Sequence, residues 1–375
     1  IGWQKLNYVV KESDSSDQGE VYIHIQNGEP AKVSQLEFSQ GSSHALALFD
    51  NGQIYAWGSN NRGQLGHYDN GQQQLLPIHV SGIDSVVKVA ASDYASLALT
   101  IGGDVWYMGA NQSAPQKIVG TGVIKDITTM GSSLYFLKDD GSLIYSYGYS
   151  KPTSFTAITG LSNITAISAS SNHLLALDSE KYVWAFGSNY QGQIGNGTTI
   201  SVANTAAVKV SKISDIISIE AAGAQSFAIN SSGKLYAWGS NNYGQLGDGT
   251  TTNRNVPVAV NTTEVVTKVS SGSNHTLFLT TTGKLFGMGS NSDKVLSNSS
   301  DSRFYTPVQV SSRLITEMTA GYNSSLMATV DGDSLGIGRN YNGILGNGTQ
   351  TSRQIPSQVK WNFEGALSTQ TMEGF

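Results

Sequence analysis

The 375-residue chain contains no cysteine, which excludes disulfides, thiol nucleophiles and thiolate metal sites together. Proline is scarce at 7 residues, and charged side chains reach only 13%. A helical protein of this size would carry Glu, Lys, Arg and Leu at 3.6-residue spacing, and no such pattern runs for a convincing length. Hydrophobic runs are short: HALALF at 44–49 falls far below the roughly 20 residues needed to cross a bilayer. With 22 basic against 27 acidic residues the net charge is −5, so no basic footprint exists for gripping nucleic-acid phosphates. Ile1 stands in place of a start Met, and the chain is expected to be a processed or trimmed product.

What the chain has in abundance is glycine, 42 residues of it, and repetition. YAWGSNNRGQLG at 55–66 returns almost unchanged as YAWGSNNYGQLG at 236–247. Weaker versions bring the total to seven: WGSN at 57–60, MGAN at 108–111, YGYS at 147–150, FGSN at 186–189, WGSN at 238–241, MGSN at 288–291 and IGRN at 337–340. Copies two and three lack the polar segment that follows elsewhere, such as GQLGDGTTTNRNVP at 244–257. Each copy divides into four short β-branched or aromatic runs separated by Gly, Asn and Asp turns, the signature of four antiparallel strands. One such sheet cannot bury both faces alone, whereas seven arranged radially can. The expected fold is therefore all-β, a seven-bladed β-propeller of four-stranded antiparallel blades. The runs KVAAS (88–92), AISAS (166–170), IEAAG (219–223) and KVSSG (268–272) are the expected innermost strands, because small residues suit a crowded axis.

Within the repeated phrase, Trp57, Trp184 or Phe186, and Trp238 are expected to pack between blades, with Gly turning the strand end. Asn60, Asn189, Asn241 and Asn291 are expected to bond their own loop backbone and to tolerate a left-handed conformation. The expected division is an N-terminal segment over 1–32 with EVYIHIQ (20–26) as a ring-closing strand, the propeller over 33–360, and a tail over 361–375.

The combination GSSHALAL (41–48), a D-G turn, YAWGSNNRGQLG and a following P-x-x-V strand resembles the regulator of chromosome condensation repeat. The resemblance covers roughly 33–360 and implies a seven-bladed propeller. The founding member of that family is an exchange factor for the Ran GTPase. Several bacterial relatives are secreted or surface binding proteins, and a bacterial or viral extracellular member is expected here.

Chemistry is hard to find in the sequence. His44, His173 and His275 share one repeat column, so they lie around the ring and are expected to satisfy strand-end backbone groups. GSNNRGQ (58–64) and GSNNYGQ (239–245) mimic a phosphate loop, but Gln64 and Gln245 replace its Lys. No catalytic residue, metal site or cofactor is expected, and the chain is expected to be no enzyme. Loops after the first and third strands of a blade emerge on one face, and long loops on a rigid scaffold concentrate binding residues. The candidate partner-binding positions are Arg62, His67 and Tyr68 in blade one, Tyr190 and Gln191 in blade four, Tyr243 and Arg254 in blade five, Arg303 and Tyr305 in blade six, and Arg339 and Tyr341 in blade seven, since Tyr and Arg are favoured anchors. The truncated blades two and three are expected to leave a low wall, so a partner would dock asymmetrically. The expected function is a non-catalytic scaffold, secreted or on a cell or virion surface, recognising a protein or cell-surface glycan. It would involve no nucleic acid and no membrane insertion, and could sit in a larger assembly. The alternative is guanine nucleotide exchange on a small GTPase.

Overall fold

The computed structural model describes residues 37–361 apart from Gly41, Ser42, Asn70, Asp93, Tyr149, Ser171, Asn204, Thr205 and Asn298; for residues 37–40 it describes the backbone alone. The proposed strand at 20–26 and the tail beyond Trp361 lie outside the described residues. Seven four-stranded antiparallel sheets follow one another, over residues 37–79, 86–117, 124–158, 164–209, 216–259, 266–309 and 315–358. Within each, the strands are hydrogen-bonded in sequence order, so every blade takes all four strands from consecutive chain. The seven-bladed all-β propeller read from the repeats is the fold observed.

In blade five, for example, Ile216–Ala222 pairs with Gln225–Asn230, then Leu235–Gly239, then Arg254–Ala259. Second strands are buried along nearly their whole length, as in His173–Asp178, because neighbouring blades cover both faces. Their apolar side chains therefore run on without the alternation a half-exposed strand would show. The truncated loops of blades two and three leave fourth strands of only 2 and 3 residues, Gln116–Lys117 and Thr156–Ile158. Blade four also ends in a 2-residue strand, Val208–Lys209, although its loop is long.

Blades one and seven close the ring through side-chain packing. Trp57 is fully buried and its indole N–H donates to the carbonyl of Ile344 at 2.7 Å. Trp361, just past the last blade, meets Phe49, Tyr55 and Trp57 edge-on at centroid distances of 5.1, 5.8 and 5.8 Å. Phe186, rather than Trp184, is the fully buried equivalent of Trp57 in blade four, since Trp184 is only half-buried and donates to Asp178 at 2.8 Å. Gly58 turns the strand end at φ +99°, where a Cβ would stand 2.6 Å from the carbonyl oxygen of Ser43, so no other residue fits.

First strands line the axis as expected, enclosing a channel of about 380 Å³. The channel is less bland than small residues alone suggest. Lys88 pairs with Asp126, and Lys268 pairs with Glu317 at 2.5 Å, each bridging adjacent first strands. Side chains also take over backbone groups across the ring: Asp126 accepts from the amide of Ile167, Ser168 from Ala221 and Ser270 from Ala320 at 2.9–3.0 Å.

Candidate functional site

The loops after first and third strands share one end of the propeller, here the loop face; the tight turns share the other, the hairpin face. What makes the loop face rigid is a buried asparagine in each long-loop blade. In blade five, Asn241 accepts from the amide of Leu246 at 3.0 Å and donates to the carbonyls of Thr250 and Thr252 at 3.1 and 3.2 Å. Asn189 and Asn340 repeat this pattern with Ile194, Thr198 and Ile200, and with Leu345, Thr349 and Thr351. Asn291 does the same with the Leu296 amide and the carbonyls of Ser297 and Asp301, and Asn60 makes a shorter version with Leu65 and His67. All five are fully buried. None of them adopts positive φ; that conformation falls to the preceding glycines, and in blade two to Asn111.

A second set of buried groups ties three of the corners to the next blade. His44 Nε2 lies 2.7 Å from Ser96 Oγ, His173 Nε2 2.7 Å from Ser226 Oγ, and His275 Nε2 3.0 Å from Ser325 Oγ. Ser96 and Ser226 donate in turn to the carbonyls of Gln64 and Gln193 at 2.8 and 2.7 Å, so those imidazoles must donate from Nε2. The histidines thus join blades chiefly through side-chain hydroxyls, and His173 also bonds strand-end backbone at Gln225. Burial pushes their pKa values down to about 4, 3 and 4 for His44, His173 and His275, with a backbone hydrogen bond at Gln225 partly opposing this at His173. They are neutral and committed to structure.

In the channel, Glu220 is ringed by protein on most sides and accepts from Ser168 Oγ at 3.3 Å. Burial pushes its carboxyl up to about 7, against the pull of Lys268, Ser168 and Lys88. Among the described residues no group of three His, Asp or Glu side chains could hold a metal ion.

Each candidate position lies on or beside the loop face, but they divide by what they touch. Arg254 is committed to its own loop, its Nε donating to Asp248 Oδ2 at 2.7 Å. His67 stands 3.6 Å from Asp69, and Gln191 accepts from Asn253. Tyr68 is exposed, and Tyr190 is 77% exposed. Arg62 lies over the Tyr94 ring at 5.9 Å, Arg303 over Tyr243 at 5.4 Å, and Arg339 over Tyr341 at 5.1 Å. Tyr305 is exposed at the side of Gly244. Sequence reasoning missed Tyr94, Tyr147 and Tyr322, which are exposed at the same end. Tyr94 and Tyr322 follow a first strand, and that position was the signal available. Eight of the nine exposed tyrosines among the described residues lie at this end, all but Tyr182.

A ring of seven blades with one face of anchored, aromatic-rich loops defines a protein-binding propeller. The RCC1-like domain matches residues 13–372, and the chain belongs to that family. It is 30% identical over 247 residues to the human E3 ubiquitin-protein ligase HERC2, covering 64% of this chain and 5% of that protein's length. With the human regulator of chromosome condensation it shares 23% identity over 304 residues, 67% of this chain and 72% of the relative. Among solved structures, human WBSCR16 superposes with a TM-score of 0.72 at 17% identity, covering 82% of this chain and 94% of the other. Prp20p from Saccharomyces cerevisiae, studied for binding to Gsp1p and histones, gives 0.55 at 22% identity over 86% and 76%.

These relatives correct the functional expectation. Ubiquitin ligation and regulation of chromosome condensation are tasks performed inside cells, which overturns the secreted or surface-exposed scaffold and the extracellular location. The expectation of a chain with no enzymatic role is overturned by the likeness to the regulator of chromosome condensation and to Prp20p. A protein partner is supported.

Proposed function

We propose that this propeller is an intracellular regulator that binds a small GTPase through its loop face and promotes nucleotide exchange. The observation that carries this reading is the match to the human regulator of chromosome condensation across 72% of that protein, joined to a loop face whose side chains are free to engage a partner while its backbone is held. Exchange needs no acid, base or nucleophile from the protein. It needs a surface that binds the nucleotide-free GTPase better than the loaded one, since differential affinity alone shifts that equilibrium. The buried histidines, committed to inter-blade bonds, are consistent with a function that uses surface and not proton transfer.

Tyr68, Tyr190, Tyr243, Tyr305 and Tyr341, with Arg62, Arg303 and Arg339, are the contact residues of this reading. Release of a fluorescent GDP analogue from small GTPases, measured with the propeller at catalytic amounts, tests it. Acceleration of about tenfold or more for one GTPase is expected. No acceleration across a panel of Ran, Rho, Rab and Arf types would end the proposal.

A further inference from the structure

Cations set over tyrosine rings occur at both faces, but at the hairpin face they are lysines, Lys209 over Tyr182 and Lys234 over Tyr236, and at the loop face they are arginines. At the hairpin face Lys117, Lys138, Lys181 and Arg313 each lie within 3.1 Å of an aspartate. At the loop face, Arg62 and Arg303 have no carboxylate within ion-pair distance among the described residues, and Arg339 reaches Asp293 only at 3.8 Å. These three arginines are the ones stacked on Tyr94, Tyr243 and Tyr341. They fall on a continuous arc running from blade five through six and seven to the junction of one and two. The opposite arc holds the truncated loops and contributes no arginine.

Stacking occupies one face of a guanidinium and holds it in place without using its in-plane N–H groups; at Arg339 the Nε is buried, so the terminal nitrogens are the donors that remain. Those donors form a fork that matches a carboxylate in bidentate fashion. A flexible lysine would lose more side-chain entropy on engaging the same group. In a chain of net charge −5, three pre-positioned arginines, two with no carboxylate in ion-pair distance among the described residues and one 3.8 Å from Asp293, mark where negative charge is to be supplied from outside. We propose that this arc is a docking surface for an acidic polypeptide segment of the partner, whose Asp or Glu side chains complete the three Arg–Tyr stacks. A nucleic acid fits less well. Asp69, Asp248 and Asp293 sit on the same face beside His67, Arg254 and Arg339 and would repel a continuous phosphate chain, whereas separated carboxylates can meet separated arginines. The proposal rests on the loop face being the partner face, but not on nucleotide exchange, so a negative exchange assay leaves it standing.

The test uses the full chain and fluorescein-labelled poly-glutamate at low ionic strength, with poly-lysine and oligo(dT) as comparison probes. Poly-glutamate is expected to bind at least about tenfold more tightly than either comparison probe. The combined R62A, R303A and R339A substitutions should weaken it about tenfold or more, and the corresponding Arg→Lys set, which keeps charge and loses the fork, should give an intermediate loss. The combined K117A, K138A and K181A substitutions on the hairpin face should leave binding unchanged. Absence of poly-glutamate binding, oligo(dT) binding as tightly as poly-glutamate, or equal losses from the two faces would each overturn the proposal. A lysine set that folds normally keeps the comparison interpretable if the alanine set does not.

Discussion

At the loop end of this propeller, corners are fastened by buried groups: an asparagine inside each long loop, and a tryptophan, serine or histidine reaching into the adjoining blade. At the hairpin end, turns are closed by backbone bonds and by ion pairs that stand partly or largely in solvent, such as Lys181 with Asp215, each side chain half exposed. The difference teaches where this scaffold concentrates its rigidity. Buried, hydrogen-bonded polar groups fix one geometry, while exposed ion pairs contribute little and are screened by salt. The end that displays variable Arg and Tyr side chains is also the end whose backbone is pinned from beneath.

That contrast can be broken by measurement. The largest effect is expected from Trp57→Ala, which opens the seam between blades one and seven and should cost about 3–5 kcal/mol. Tyr182→Ala at the hairpin end should cost less than about 1 kcal/mol. Equal losses in urea denaturation would abolish the distinction between the ends.

Acid should act next, and mainly at the loop end. His44, His173 and His275 have folded pKa values depressed to about 4, 3 and 4. Their stabilising contribution is therefore complete above the unfolded value near 6.5 and is lost as pH falls from there toward about 4. Glu220, raised to about 7, works the opposite way: its contribution is complete below the unfolded carboxyl value and is lost as pH rises through about 7. Three histidines against two glutamates, Glu220 and Glu317, the second also raised by burial, leave a net uptake of about one to two protons on unfolding near pH 5.5. Stability measured from pH 7 down to 5 should fall accordingly, and H173Q should flatten the slope by about one proton. An unchanged slope in that variant would show that the imidazole is not the titrating group.

A smaller loss, about 1–3 kcal/mol, is expected for Asn241→Ala, which strands the Leu246 amide and two threonine carbonyls. Hydrogen exchange at Leu246 should accelerate while the hairpin amides of blade five keep their protection. Least of all should be Lys181→Ala, below about 1 kcal/mol; a larger loss in thermal melting would mean that the hairpin face is fastened more tightly than its exposure implies.

Much of this architecture was legible because a propeller is periodic. Seven copies of a strand-end glycine, D-G turns and β-branched runs specify blades locally, and the corner roles of Trp57, Trp238 and the asparagines follow from side-chain size and hydrogen-bonding capacity. The site was legible only in part. Loop position and residue type pointed to Arg62, Tyr243, Arg303, Arg339 and Tyr341, yet nothing in the local text separates Arg303, stacked on a tyrosine from the preceding blade, from Arg254, held within its own loop by Asp248. Tyr94 and Tyr322 escaped notice because short corners look structurally neutral in sequence.

The sequence by itself determined the repeat number, the strand order within a blade and which end carries the long loops, since each depends on contacts within one repeat of roughly 39 to 52 residues. Tertiary structure alone decided the rest. His173 meets a serine 53 residues away, Trp57 a carbonyl 287 residues away, and Asp126 an amide 41 residues away. The first and third pairs are joined by the packing of one blade on the next and the second by the ring's closure, and their separations are set by loop lengths that vary from copy to copy, so no local pattern encodes them. The same closure turns three scattered Arg–Tyr pairs into one arc.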